Sequence, residues 1–166
     1  MQIIPEDRVD ALVEGGLQVD FPQGAWVRQK FAQEKIEDVA AEVRAQIHRP
    51  EVKERIRPGM RLALGVGSRG IKCLYEVVEA TVNELKALGA EPFIVPTMGS
   101  HGGATPEGQL EVLASYGVTE EALGVPFEAS MEVTEIGVSE SGVPVYVSTP
   151  ALQADGLVPI GRVKPH

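Results

Sequence analysis

The sequence predicts an α/β protein: an open, mostly parallel sheet with flanking helices and an appended β-hairpin. Two strand-loop-helix units in succession, one starting at Arg61 and one at Pro92, carry that expectation. Alternation of this kind implies parallel strands joined by crossovers, with both loops at the carboxyl edge of the sheet, where open α/β sheets bind their ligands. A shift to period-two alternation beyond Gly117 adds the hairpin.

Ile36, Val39, Ala40, Val43 and Ile47 recur at helical spacing among charged residues, so a helix with one buried stripe is expected from about Lys35 to Arg49, stopped by Pro50. His48, in its last turn, complements the helix dipole or is solvated. The chain changes character at Pro58-Gly59, the expected boundary between a helical and extended segment, 1–58, and an α/β domain, 59–166. Past it, Arg61 to Gly65 reads as a strand, followed by a Gly-rich loop. A helix over Lys72 to Leu88 then gathers Leu74, Val77, Val78, Val82 and Leu85 on one face, and Gly89 suits its C-cap. Pro92 to Pro96 is a short buried strand leading to a polar loop, and Thr105-Pro106 opens the next helix as N-cap and first helical residue. Met131 to Val138 and Val143 to Ser148 alternate about the turn Ser139-Glu140-Ser141-Gly142 and form the hairpin. A short helical piece at Ala151 to Ala154 precedes Leu157-Val158-Pro159-Ile160, expected to be another buried strand. It runs into Arg162-Val163-Lys164-Pro165-His166, and a domain ending on so polar a loop suggests that more chain follows.

Composition narrows the function classes. At 166 residues and 43% hydrophobic, the chain can bury one proper core. Its 24 acidic side chains against 15 basic ones give a net charge of −9, which disfavours nucleic acid or an anionic membrane surface as the main partner. An anionic ligand must then be bound locally. Cys73 is the single cysteine, so no disulfide scaffold forms within the chain, and its place beside apolar neighbours reads as packing. The start, from Met1 to Asp7, lacks the basic cluster and apolar run of a secretory signal, and no segment reaches the roughly 18 apolar residues of a membrane helix. Cytoplasm is the expected compartment.

Two loops could carry chemistry. The first, Gly65-Val66-Gly67-Ser68-Arg69-Gly70, satisfies GxGxxG between a strand and a helix. Its next strand ends Phe93-Ile94-Val95-Pro96-Thr97 without the acid that would hold a ribose, so classical dinucleotide binding is disfavoured. What remains is a helix-entry turn in which Ser68, Arg69 and Gly70 make a seat for a carboxylate or phosphate, or a tight turn and nothing more. The second loop, Thr97 to Thr105, sets His101 among Gly99, Gly102 and Gly103, past the end of a buried strand, where the backbone can approach a ligand closely. Neither Ser68 nor Ser100 stands in a GxSxG elbow, and no Asp accompanies His101, so a serine-hydrolase triad is not indicated. His166 follows a third strand that ends at the same edge. Two histidines there suit proton transfer, because the imidazole titrates near neutrality. Without a tight spacing motif they specify no metal site.

From about Arg61 to His166 the chain resembles the nickel-dependent lactate racemases, which use a nickel-pincer nucleotide. Phe93 to His101, followed by Thr105-Pro106-Glu107, resembles that family's strand, Gly-Thr-His loop and acidic helix; Leu157 to His166 resembles its strand ending in Pro-His. Gly67-Ser68-Arg69 falls where the family has an Asp-x-Thr-Arg segment, with the acidic position at Val66. The resemblance implies the N-terminal domain of a larger two-domain racemase or epimerase of a 2-hydroxy acid, lactate or a relative. His101 and His166 would be its acid/base pair, Arg69 would hold the substrate carboxylate or frame the cofactor, and Ser68, Gly70 and Ser100 would contribute to the binding site. It also implies that the lysine tethering the cofactor and the histidine ligating nickel lie beyond His166, in a missing C-terminal part. This chain by itself would then lack both cofactor and activity. The alternative is an α/β module that binds a nucleotide or small anion without this chemistry.

Overall fold

The computed structural model describes residues 24–31, 35–68 and 70–163. The chain divides into two units, Met1–Lys35 and Ile36–His166. In the first, residues 24–31 adopt no regular secondary structure.

The second unit opens with helix α1, Val39–Ile47, whose entry is fixed by Asp38: its side chain accepts a hydrogen bond from the Ala41 amide, 2.9 Å away. The helix is shorter at both ends than its apolar stripe predicts. It stops at Ile47, and Pro50 opens the single turn α2, Pro50–Lys53, where a proline's missing amide costs nothing. His48 is neither merely solvated nor limited to the dipole of its own helix. Its Nε2 lies 3.0 Å from Glu84 Oε2, while Arg44 Nε donates to Glu84 Oε1 at 2.7 Å, so two side chains of α1 grip one carboxylate of the next long helix. Helix α1 thus packs on the α/β part from the far side of the Pro58-Gly59 turn.

That part holds strands β1 (Arg61–Val66), β2 (Glu91–Pro96) and β5 (Gly156–Ile160), parallel throughout and ordered β2-β1-β5. Helix α3 (Leu74–Ala87) joins β1 to β2, and helix α4 (Pro106–Ala114) follows β2. Cys73 does not lie on the helix expected to begin at Lys72. It caps α3 in the left-handed conformation, at φ 58°, and is half-buried. A single turn α5 (Glu120–Leu123), the antiparallel hairpin β3 (Val133–Val138) and β4 (Pro144–Ser148), and a turn α6 (Thr149–Leu152) complete the order.

The strand register decides which side chains meet. Leu62, Leu64 and Val66 of β1 and Ile94 of β2 turn one face of the sheet toward Leu74, Val78, Val82 and Leu85 of α3 and Leu113 of α4, forming the main core. The opposite face is thinner, with Ala63, Phe93 and Val95 covered by Ala151 and Ala154. Its shallowness explains why β5 is not the buried strand that its run of apolar residues suggests. It lies at the sheet edge, alternates half-buried and exposed residues, and leaves Leu157 53% exposed. Pro159, which has no amide to donate, is suited to such an edge. The hairpin is stepped by a bulge between Glu135 and Gly137, and its Val133, Ile136, Val138 and Tyr146 are each more than half exposed. Among the described residues no helix is long and apolar enough to cross a membrane.

Candidate active site

With β1 flanked by β2 on one side and β5 on the other, the chain leaves the central strand in opposite directions. This is the kind of switch at which open α/β sheets bind ligands outside their carboxyl ends. The three strand ends are tied together there, since Gly67 N–H donates to Ile160 C=O at 3.0 Å and Thr97 N–H to Val66 C=O at 2.9 Å. The second residue past each strand, namely Ser68, Met98 and Arg162, consequently faces one cleft of about 310 Å³. Gly67, Ile71, Thr97, His101 and Gly161 complete its lining.

His101 is held in place by glycines and by the start of α4. The residues His101–Ala104 form a 3-10 turn in which Gly102 (φ 63°), Gly103 (φ 67°) and Ala104 (φ 55°) are all left-handed. Gly102 has no alternative, because a Cβ there would run into the carbonyl of Gly108 in the first turn of α4. The turn is pinned twice more. Thr105, the N-cap of α4, accepts from Gly108 N–H and donates to Gly102 C=O, both at 3.1 Å, and the buried Gln109 donates its Nε2 to Gly99 C=O at 2.9 Å. Gly102 therefore permits a close seat of the loop on the helix.

The imidazole so placed meets the first loop. Ser68 Oγ, on a residue only 5% exposed, lies 2.7 Å from His101 Nδ1. A second hollow of about 230 Å³, lined by Val112 and Tyr116, reaches the same two side chains. With Nδ1 engaged, Nε2 is the ring nitrogen left for a ligand. If Ser68 accepts the Nδ1 proton, Nε2 carries the lone pair of a base; once protonated, the ring keeps the same hydrogen bond and becomes the acid.

Ser68 and His101, both singled out from the sequence, are thus brought together. Gly70, at φ 65°, lies beneath the Arg162 guanidinium: a Cβ added there would sit 2.7 Å from Nη1. Ser100 is exposed and takes no part in lining the cleft. Arg69 and His166 lie outside the described residues. Val66, where the resemblance puts an acid in other members, is fully buried in the main core, so a carboxylate at this position would be desolvated among Leu64, Ile94 and Val78. Sequence reasoning passed over Arg162, Thr97 and Tyr116. For Arg162 a signal existed, since it stands as far past β5 as Ser68 stands past β1.

Among the described residues no carboxylate lines this cleft, although the whole chain carries a net charge of −9. Among the described residues no group of three or more His, Cys, Asp or Glu side chains is arranged to hold a metal ion. Glu84 sits elsewhere, in the ion-paired joint between α1 and α3, and the Arg44 hydrogen bond together with His48 holds its carboxyl below the usual glutamate value.

A family model described as the lactate racemase N-terminal domain matches residues 19–166. No curated protein and no solved structure matches the chain.

Proposed function

The chain belongs to the lactate racemase N-terminal domain family, and on that premise we propose that it is the N-terminal part of a racemase or epimerase of a 2-hydroxy acid, with His101 as one of two acid/base groups. The observation that supports this reading most is the Ser68–His101 contact at the carboxyl edge of the sheet. A histidine serving only as a loop residue has no need of a buried hydroxyl on its Nδ1.

In this reading His101 takes the hydroxyl proton of the substrate through Nε2 and later returns it, while Ser68 keeps the ring in one orientation through both steps. His166 would be the opposed group, because mirror-image substrates present their hydroxyl protons from opposite sides. Arg69 would hold the substrate carboxylate or frame the cofactor, and Gly70 would keep the helix-entry turn open. When bound, the nickel-pincer nucleotide of the family supplies the acceptor and donor of hydride at the reacting carbon. The described residues offer that group no cluster of three metal-ligating side chains, so their fit to it lies in the anion-friendly turn at Ser68 and Gly70 and not in nickel ligation. The lysine tether, the nickel-ligating histidine and the C-terminal domain belong, on this reading, to the rest of the full-length protein. Lactate, a related 2-hydroxy acid and a cytoplasmic setting all fit it.

The test is enantiomer-resolved turnover in the full-length, cofactor-loaded protein. His101→Ala should abolish interconversion while cofactor attachment persists, and unchanged racemisation in that variant would remove the proposal. The acid-free cleft equally favours a second reading, an anion-binding module without this chemistry. That reading expects ligand binding to survive His101→Ala and expects no racemisation in the parent protein.

A further inference from the structure

Three of the described arginines hold carboxylates. Arg44 pairs with Glu84, Arg49 with Glu51, and Arg61 with Glu128 while also covering the Phe93 ring at 4.7 Å. Arg162 pairs with no carboxylate among the described residues, and alone of the described arginines it lines the cleft that holds Ser68 and His101, whose described lining contains no Asp or Glu. In a chain with 24 acidic residues that separation needs a cause.

The surrounding backbone provides one. Gly70 sits at φ 65° directly under the guanidinium, and a Cβ at this position would press on Nη1 at 2.7 Å and on Cδ at 3.6 Å. The bare turn leaves room for the guanidinium against Gly70, in the loop that leads into α3. Ser68 and His101 line the same cleft. A planar fork of donors and an ionisable imidazole in one cleft suit one ligand that carries two oxyanion oxygens and, a few bonds away, an exchangeable proton. The space, about 310 Å³, is at the small end for organic ligands.

We propose that Arg162 is the anion-binding residue of this cleft, pairing its guanidinium with the two oxygens of a small oxyanion. The oxyanion is either the carboxylate of the acid on which the protein acts or a phosphate of its nucleotide cofactor. This extends the racemase reading, and rests on it only for the identity of the acid. The resemblance implies that Arg69 holds the substrate carboxylate or frames the cofactor; Arg162 is inferred from the lining of the cleft itself.

The test reads binding, not turnover. The 166-residue chain, isotope-labelled, is titrated at fixed ionic strength with lactate, pyruvate and inorganic phosphate in separate arms, following the Arg162 side-chain Nε–Hε resonance and the His101 ring signals. Saturable shifts of both residues with lactate or pyruvate identify the substrate carboxylate as the oxyanion; saturable shifts with phosphate alone identify the cofactor phosphate. In either case Arg162→Gln should weaken binding at least tenfold. Arg162→Lys, a point charge without the fork, should recover part of the loss, and Arg55→Gln, outside the cleft, should change nothing. Absence of saturable shifts in every arm, or equal affinity in Arg162→Gln, overturns the proposal. Anion binding through Arg162 in a protein whose full-length form does not racemise leaves this inference standing and removes the racemase reading. Racemisation that depends on His101 but is indifferent to Arg162→Gln in both binding and KM does the reverse.

Discussion

Ser68 Oγ and His101 Nδ1 meet at 2.7 Å although 33 positions separate them in the chain. The contact exists because β1 and β2 are adjacent parallel strands that end level, Val66 beside Pro96, so that the loops leaving them start from the same edge. A hydroxyl in that position holds the imidazole in one orientation through Nδ1.

Removing the hydroxyl should therefore affect catalysis more than folding. In the full-length enzyme, Ser68→Ala is expected to lower kcat about tenfold with little change in KM, less than the roughly hundredfold or greater loss that follows removal of a general acid/base itself. Ser68→Thr, which retains the hydroxyl, should restore most of the rate. The split of the effect between kcat and KM, together with its rescue in Ser68→Thr, is the readout that a purely structural role would not reproduce. An unchanged kcat in Ser68→Ala would mean that the hydroxyl does not orient the ring.

The left-handed run after His101 makes a second prediction about stability alone. Gly102→Ala adds both an unfavourable φ and a collision with the Gly108 backbone, whereas Gly103→Ala adds only the φ, because nothing lies within 4 Å of its Cβ. Left-handed backbone costs a non-glycine residue about 1–2 kcal/mol, and overpacking typically about 1–3 kcal/mol more. Urea denaturation should accordingly rank Gly102→Ala clearly below Gly103→Ala. The two variants should also separate in the His101 ring signals, which only Gly102→Ala should disturb strongly.

Much of this fold could be read from the order of residues, and what could not had a physical reason. Thr105 as N-cap with Pro106 as first helical residue is a purely local device, and the helix begins where that device puts it. Strand β1, by contrast, runs one residue longer than its apolar run to Gly65 suggests, because Val66 pairs in register with both Pro96 and Ile160. That information lies in two other segments. The same holds for Leu157, whose side chain looks like core in sequence and is half exposed because the strand it sits on is an edge. At the site, His101 stood out through its glycines, which are local. Ser68 stood out too, in its GxGxxG turn, but its pairing with His101 and the place of Arg162 in the cleft did not, since both depend on how far each strand extends before its loop turns into the cleft.

Core truncation turns that difference into numbers. Leu64 is fully buried between α3 and the neighbouring strands, so Leu64→Ala should cost about 2–5 kcal/mol, the range for a large-to-small change that leaves a cavity. Leu157→Ala should cost less than about 1 kcal/mol, since its side chain is already half in water. Equal losses in chemical denaturation would mean that the face of β5 carrying Leu157 is covered in solution.

The α1 joint predicts how stability depends on pH. Glu84 gains an Arg44 hydrogen bond and a His48 contact on folding, which hold its carboxyl below the ordinary glutamate value. A folded-state pKa lower than the unfolded one means that the unfolded chain binds the proton more readily. The contribution is therefore complete above about pH 4.5, declines as the pH falls through the interval down to the lowered folded value, and is absent below it. Arg44 is 70% exposed, so its share is partly screened by solvent and salt, and the effect should shrink as ionic strength rises. Glu84→Gln keeps the shape of the side chain but cannot ionise. Its melting temperature should consequently lie below that of the parent at pH 7 and approach it as the pH drops into the acid range, with the parent curve doing most of the moving. A constant gap between the two proteins from pH 7 down to pH 3 would show that the joint holds by packing rather than by charge, and that α1 is fastened to α3 through contacts other than Glu84.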